Sequence, residues 1–387
     1  MGIKLAATSG GSIELVPTNT ASNFTVTVPA ATGTMALTSQ VTGMRNRIIN
    51  GAMVIDQRNA GASVTPTTSG SAFAVDRWQM QVTQNSKMTG QQNAGSVTPP
   101  AGYTGYMGVT SSSAYSIVST DFFLLSQAIE ANNIADFGWG GANAVSATLS
   151  FWVRSSLTGT FGGSIENSTD RSFPFSFTIN AANTWEQKTV LIPAPSAGGT
   201  WGTGNATGVF VRFGLGVGST YNGTAGAWAS LRYFSATGAT SVVGTSGATF
   251  YITGVQLEAG TTATPFENRL YGTELALCQR YYWKKVGGAS GSSYEPIATG
   301  VIYNTTTNVR VNVVYPVPAR AIPTFSTSGT LYVAVGGGNL TPSTITSYAG
   351  LNSAMLDVAV TSSTLGNGAV YYTSNTSSDY FQASAEL

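Results

Sequence analysis

The chain has 387 residues, enough for two or three domains of ordinary size. It contains no histidine and one cysteine, which excludes a Ser-His-Asp triad, a Cys-His dyad, a histidine metal site and an intrachain disulfide. The formal net charge is +1 and Lys and Arg are scattered, so we do not expect nucleic acid as a partner. No apolar run is long enough for a membrane helix and the start lacks a signal-peptide pattern, so we expect no membrane insertion.

The first 44 residues contain no Trp or Tyr and carry two sparse alternating runs joined by Pro, Asn, Ser and Thr. Alternation with a period of two is typical of a strand with one buried face. Runs with so few apolar residues do not make a core within one chain, so we expect three copies to bury them around a common axis. The apolar residues concerned are Ile13, Leu15, Phe24, Val26 and Val28.

Strand patterns dominate the middle of the chain, where six of the seven tryptophans fall between residues 45 and 270. Apolar residues alternate along 147–153 and 209–217, which predicts strands with one face in a core. In the run 250–257 the apolar phase switches at Gly254, as a β-bulge requires. We therefore predict that residues 45–270 form the main β-sandwich core.

Beyond residue 270 the pattern changes twice. The best helix candidate is short, from Thr273 to about Tyr282, within a connector that we place at 271–287. New strand runs without tryptophan follow, so residues 288–387 are predicted to form a smaller C-terminal β-sandwich. The predicted fold class is all-β, with a short N-terminal β-rich attachment segment at residues 1–44, a central β-sandwich and a C-terminal tip domain.

Several motifs carry a resemblance to a known family. The segments RNRIINGAMVIDQRN (45–59) and FAVDRW (73–78) resemble tail fibre and receptor-binding proteins of tailed bacteriophages. GVQLEAGTTATPFENR (254–269) is similar to the closing strand of a jelly-roll module of the carbohydrate-binding kind. YGTELALCQRYYWK (271–284) resembles the segment that follows this module in phage fibres, and the stretch from residue 10 to 37 resembles a β-rich attachment region.

The resemblance implies a virion structural protein that is not an enzyme and needs no cofactor. It implies a homotrimer whose N-terminal segment docks on a phage tail protein, or on a capsid protein, while the jelly roll and the tip attach to a glycan of the host surface. Two alternatives stay open at this point. One is a tailspike-like glycan depolymerase, and the other is a head fibre that decorates the capsid.

Tryptophans are the ligand candidates, because indole faces stack on the apolar faces of sugar rings. Trp152 lies on the polar face of its predicted strand, and Trp201 and Trp228 lie in Gly-, Ala- and Thr-rich stretches that look like loops. The competing interpretation for each is packing within the sandwich, since large aromatic residues dominate such cores. Trp185 is predicted to be structural.

Catalytic and metal-binding residues are not expected. Cys278 lies in an apolar run without a histidine to activate it, so we predict a buried, inert thiol. Asp76 and Arg77 are expected to form a local ion pair at a turn. Carboxylates are the remaining route to glycoside hydrolysis or to a calcium site, yet their sequence spacing brings no pair together. Those that we considered are Asp121, Glu130, Asp136, Glu166 and Asp170.

Overall fold

The computed structural model describes residues 3–6, 12–15, 44–68, 72–167, 169–195, 198–288, 294–361 and 364–387. The chain divides into two compact units, Met1–Gly43 and Met44–Leu387. In the first unit, β1 (Ile3–Ala6) pairs with β2 (Ser12–Leu15) in an antiparallel hairpin. The predicted run at Ile13 and Leu15 lies on β2, whereas the run from Phe24 to Val28 lies outside the described residues. Trimerisation of this segment stays a prediction.

The second unit begins with a sandwich of antiparallel strands. Its elements, in chain order, are β3 (Ala72–Val75), β4 (Trp78–Val82), β5 (Met88–Gln92), β6 (Met107–Ser111), β7 (Phe122–Glu130), β8 (Ala147–Ser155), β9 (Gly159–Glu166), β10 (Ser172–Ile179), β11 (Glu186–Ile192), β12 (Thr207–Val217), β13 (Asn222–Gly223), β14 (Ser235–Ala236) and β15 (Thr249–Ala259). Two 3-10 helices, Ala94–Ser96 and Ala131–Phe137, lie between these strands.

Two sheets form the jelly roll. The six-stranded sheet has the order β10-β9-β12-β7-β4-β3, and the five-stranded sheet has the order β11-β8-β15-β6-β5. Their inner faces meet in one large core, in which Phe151 of β8 lies 5.0 Å, between ring centroids, from Phe213 of β12. The short strands β13 and β14 form a separate parallel pair.

The alternating patterns in the sequence predict these strands well. Leu149, Phe151 and Val153 on β8 are fully buried in the core, which confirms the predicted inner face. On β15 the pairing with β8 shifts register between Thr253 and Gln256. Gly254 lies within that shift and has a φ of 61°, which confirms the predicted β-bulge and explains the glycine.

The predicted helix exists with different bounds, as α1 (Tyr271–Gln279). The prediction that it continues to about Tyr282 is wrong, because Tyr282 begins a strand that pairs with Ser384 near the end of the chain. Cys278 is buried on α1 against Ile49 and Ile55, in a small cluster that joins the helix to the jelly roll. Burial raises the pKa of its thiol well above the ordinary value, as expected of an inert cysteine.

The remaining strands form two sheets. They are β16 (Tyr282–Val286), β17 (Pro296–Ile302), β18 (Asn308–Val314), β19 (Thr324–Ser328), β20 (Leu331–Val335), β21 (Gly338–Leu340), β22 (Thr344–Ala349), β23 (Ser353–Ala359), β24 (Gly368–Thr373) and β25 (Tyr380–Ser384). A three-stranded sheet has the order β16-β25-β19, and a seven-stranded sheet has the order β21-β20-β24-β17-β18-β23-β22. A second core contains residues of both sheets. The fold is all-β, as predicted, and β16 belongs to the C-terminal sheets although it falls within the range predicted as a helical connector.

The end of the chain ties the C-terminal sheets to the jelly roll. The carboxylate of Glu386 accepts hydrogen bonds from the guanidinium groups of Arg58 and Arg77. Arg77 is buried at the turn between β3 and β4 and does not pair with Asp76, which instead pairs with Arg58 at 3.3 Å. The prediction of a local ion pair between Asp76 and Arg77 is therefore wrong, because Arg77 adopts a left-handed φ of 72° and its side chain pairs with Glu386.

None of the helices in the described part of the chain is both long and apolar enough to span a membrane.

Candidate functional site

A row of polar side chains crosses the outer face of the six-stranded sheet. Strand register places Gln79 opposite Ser126, Ser126 opposite Arg212 and Arg212 opposite Ser164. Each lies on the face opposite to the core, because the residues beside it in its strand point inward. On β12, for example, Val211 and Phe213 are fully buried in the core on either side of Arg212. Four neighbouring strands therefore present polar groups at one level of the sheet.

Two arginines share one buried carboxylate at the centre of this row. Glu166 is fully buried, and its Oε1 accepts from Nε of Arg212 at 2.9 Å and from Nη2 of Arg212 at 2.6 Å. Arg232 donates from Nη2 to the same oxygen at 2.8 Å, while its side chain remains 40% exposed. Burial lowers the pKa of Arg212, and the charge of Glu166 opposes that shift. The trio carries a net charge of +1, and Arg232 is its exposed member.

Three aromatic rings form one wall beside the arginines. Tyr221 and Phe234 stack with centroids 4.8 Å apart and planes 10° apart, and Phe122 meets both rings edge-on. The guanidinium of Arg212 lies 4.8 Å from the ring centroid of Phe234. Tyr221 and Phe122 are half-buried, so their rings remain partly accessible above the sheet.

The segment that follows β12 carries part of this wall across the sheet. The parallel pair β13 and β14 holds it, and Phe234 donates its backbone N–H to the carbonyl of Tyr221. Gly162 and Gly214 lie under the segment, where a Cβ would come within 2.6 Å of Ser235 Oγ. These glycines therefore let the segment approach the sheet and place Tyr221, Arg232 and Phe234 over it.

The sheet and the segment enclose a groove of about 610 Å³, which we call the arginine groove. Ligand pockets in proteins commonly have volumes of this order, with a few polar groups that fix the ligand. Oε2 of Glu166 is buried and accepts no hydrogen bond from the described residues. The groove combines aromatic rings, amide and guanidinium donors and one excess positive charge. Residues that line it include Gln79, Gln81, Phe122, Arg212, Tyr221 and Arg232.

The predicted tryptophans lie elsewhere. Trp201 and Trp228 pack edge-on against each other and against buried Trp139, and each indole N–H donates to a backbone carbonyl of a nearby loop. Trp152 is half-buried on the outer face of the five-stranded sheet, where it forms a side-chain hydrogen bond with Tyr103. None of the three lines the arginine groove, and their role in ligand binding stays a prediction.

The carboxylates considered from the sequence are held apart by separate sets of partners. Asp121 accepts from Thr83 and Tyr115, which helps to keep its pKa below the ordinary value against the effect of its burial. Glu130 pairs with Arg280, the residue that follows α1, and Asp136 pairs with Arg47. Asp170 accepts from the side chain of Asn167, which lowers its pKa. None of these acids shares with Glu166 a hydrogen-bond or ion-pair partner found in the described residues.

Asp76 is the acid with the most strongly raised pKa in the described ranges. Burial raises its pKa from 3.8 to about 6, against the opposing charge of Arg58. It is enclosed at the junction with the C-terminal sheets, where Gln57 donates from Nε2 to its Oδ2 at 2.6 Å. Because its side chain is enclosed and its oxygens are engaged by framework residues, we assign Asp76 a structural role.

Sequence reasoning missed the arginine groove. Arg212 is visible in the sequence as a charged residue inside an alternating apolar strand, and Glu166 as one of the few acids, but nothing in their spacing of 46 residues predicts that they meet. Only the antiparallel pairing of β9 with β12 brings them together. Arg232 and Tyr221 come from a connecting segment that carries no strand pattern.

Comparison with known proteins gives similarity at the level of structure only. No family model matches the chain, and no curated protein matches it. The enzymatically active domain of tailspike protein 4 of bacteriophage CBA120 matches 56% of this chain, with 12% identity and a TM-score of 0.30; the match covers 21% of that domain's length. A family 11 carbohydrate-binding module of Clostridium thermocellum has 12% identity and a TM-score of 0.25 over 53% of this chain and 100% of its own. A tandem CBM22 domain of Paenibacillus barcinonensis has 9% identity and a TM-score of 0.24 over 85% of this chain and 97% of its own.

Proposed function

We propose that this protein is a non-enzymatic bacteriophage fibre that attaches the virion to an acidic glycan of the host cell surface, and that the arginine groove holds the glycan. The observation that carries the proposal is the 40% exposed side chain of Arg232, which lies beside accessible aromatic rings and shares one buried carboxylate with a second arginine. Arginine binds carboxylates in a planar, two-point geometry, and aromatic rings stack on sugar rings.

Each part of the groove has a role in this proposal. Arg232 pairs with a ligand carboxylate, Tyr221 supplies a ring face, and Gln79 and Gln81 bind sugar hydroxyls through their amides. Arg212 and Glu166 are buried and act as positioning residues, since Arg212 holds the carboxylate of Glu166 and that carboxylate holds Arg232. A single excess charge favours uronic or sialic acid polymers over neutral ones.

The fibre architecture is also part of the proposal. The N-terminal segment forms a homotrimer and docks on a phage tail protein, with a capsid protein as the less favoured partner, and the jelly roll and C-terminal sheets face the host. Its support is the resemblance of the motifs to phage tail fibre proteins and the small number of apolar residues in the alternating runs of residues 1–44. Virions that carry a fibre without residues 1–44 should not form, and antibody labelling of wild-type virions should mark the tail.

The binding test uses the purified full chain and the surface polysaccharide of the strain on which the phage grows, with dextran as a neutral comparison. Arg232→Ala should weaken polysaccharide binding at least tenfold, and Arg154→Ala, a half-buried arginine on the other sheet, should leave it unchanged. Binding should weaken as salt rises. Loss of binding in Trp152→Ala with normal binding in Arg232→Ala would place the ligand on the five-stranded sheet instead. Release of reducing ends from the polysaccharide would indicate a depolymerase.

A further inference from the structure

The seven-stranded sheet in the C-terminal part curls until its two edges come close. Its edge strands are β21 and β22, and these are consecutive in the chain, joined by residues 341–343. Three residues span at most about 15 Å between the flanking Cα atoms, at about 3.8 Å per step. The opposite edges of a seven-stranded sheet are that close only if the sheet is strongly curved.

A cleft of about 370 Å³ opens where these edges meet the three-stranded sheet. Its floor is aromatic and fully enclosed, with Tyr371 of β24 and Phe381 of β25 both at 0% exposure. Phe325 of β19 stacks on Phe381 with centroids 5.4 Å apart, so an aromatic surface continues toward the mouth. Two different sheets therefore build this cleft, which is separate from the arginine groove.

The lining of the cleft carries hydroxyl groups and no formal charge. This composition suits a neutral ligand with many hydroxyl groups, because the rim exchanges hydrogen bonds with it and no ion has to be desolvated. The rim hydroxyls belong to Ser326, Thr327, Thr341, Ser343, Thr344 and Ser347.

One tyrosine of the floor has a hydroxyl group without a protein partner in the described part of the chain. The hydroxyl of Tyr371 is buried and has no hydrogen-bond partner among the described residues. A buried hydroxyl without a partner costs free energy that a bound acceptor recovers. Burial also raises the pKa of Tyr371, so the hydroxyl keeps its proton and can donate it to a ligand oxygen.

We propose that this cleft is a second ligand site, which binds a neutral sugar residue through the Tyr371 hydroxyl, the rim hydroxyls and the Phe325 ring. The cleft has the volume of a small ligand pocket, which fits one or two sugar rings. The proposal does not depend on the arginine groove, because the two sites share no residue and differ in charge.

The test measures binding of glucose, galactose, mannose and N-acetylglucosamine to the full chain by saturation-transfer NMR and calorimetry. At least one of them should bind, and Tyr371→Phe should weaken that binding at least fivefold because it removes only the hydroxyl. The matched control is Tyr315→Phe, another buried tyrosine of this core whose hydroxyl has no partner in the described residues and which does not line the cleft. It should bind as the wild type does.

A second pair of variants tests the location without touching the core. Ser347→Trp on β22 fills the exposed mouth and should abolish binding, whereas Thr346→Trp, exposed on the opposite face of the same strand, should not. Absence of binding by all four sugars, or equal binding by wild type, Tyr371→Phe and Ser347→Trp, would overturn the proposal. Binding that is lost only in Arg232→Ala would place the sugar in the arginine groove, and it would refute this second site while leaving the first intact.

Discussion

Glu166 and Arg212 are 46 residues apart in the chain and lie side by side on β9 and β12, where one carboxylate oxygen accepts two hydrogen bonds from the guanidinium. Arg232 donates to that same oxygen from the surface of the protein. This arrangement assigns stabilisation of the fold and ligand binding to different residues. Glu166 and Arg212 stabilise the sheet, and Arg232 remains available to a ligand.

Variants of Glu166 and Arg232 should therefore have opposite effects. Glu166→Gln leaves Arg212 buried without a counter-charge, and it should lower the free energy of unfolding by about 3 kcal/mol. The amide oxygen of the variant can still accept from Arg232 and keep it in place, and the net charge of the groove rises, so affinity for acidic polysaccharide should stay equal or rise. Arg232→Ala should lower the free energy of unfolding by less than about 1 kcal/mol, and it should weaken binding of the acidic polysaccharide. Urea unfolding measures the free energy of unfolding, and calorimetry measures the affinity. If both variants lost stability and affinity together, the two roles would not be separate.

Trp228 should act as a packing residue. It contacts Trp139, Trp201 and Phe173, and its indole N–H donates to the carbonyl of Pro193 at 2.7 Å. Trp228→Ala should lower the free energy of unfolding by roughly 3 kcal/mol, as large-to-small changes in packed clusters do. Folded Trp228→Ala should bind the host polysaccharide with wild-type affinity, and a selective loss of affinity would make Trp228 a ligand residue, as the sequence predicts.

The ion pairs of Glu386 should stabilise the junction between the jelly roll and the C-terminal sheets. Glu386→Ala leaves Arg77 buried and without its carboxylate, and should lower the free energy of unfolding by about 3 kcal/mol. The control is Glu295→Ala, which removes a surface pair with Lys285 and should cost less than about 1 kcal/mol. If both variants lowered the free energy of unfolding by the same small amount, the buried pair of Glu386 would add no stability beyond that of a surface pair.

Asp76 should make the folded state less favourable at neutral than at acid pH. Its pKa is about 6 in the folded protein and near 3.8 in the unfolded chain, so the folded state binds the proton more tightly. The stabilisation that this proton gives to the folded state is fully present below the unfolded-state pKa of about 4, and it is lost as the pH rises through 6. The full change in the free energy of unfolding is about 3 kcal/mol.

The measurement compares wild type with Asp76→Asn, which cannot titrate at this position. The free energy of unfolding of wild type minus that of the variant should fall by about 2 kcal/mol between pH 4 and pH 7. A difference that is constant over this range, or that rises with pH, would contradict the raised pKa.

The N-terminal segment should control assembly and not folding. Residues 44–387 form a compact unit of their own, so removal of residues 1–43 should leave the thermal unfolding of this unit unchanged. Sedimentation should give a trimer for the full chain and a monomer for the shortened one. A full chain that sediments as a monomer would contradict the proposed fibre.

The sequence predicts elements whose signal is local. Alternation along β8 and the phase switch at Gly254 are visible without any partner strand, and both predictions hold. The end of α1 is predicted too late, because the chain leaves the helix to pair Tyr282 with Ser384, about a hundred residues away. The arginine groove cannot be predicted for the same reason, since long-range register brings Glu166 to Arg212 and an irregular segment brings Arg232 over them.

The most direct test of glycan attachment is a crystal structure of residues 44–387 soaked with an oligosaccharide cut from the host polysaccharide. We predict density in the arginine groove, with a ligand carboxylate within hydrogen-bond distance of Arg232 and a sugar ring against Tyr221. Density for the charged sugar at any other place, with an empty arginine groove, would refute attachment through this groove.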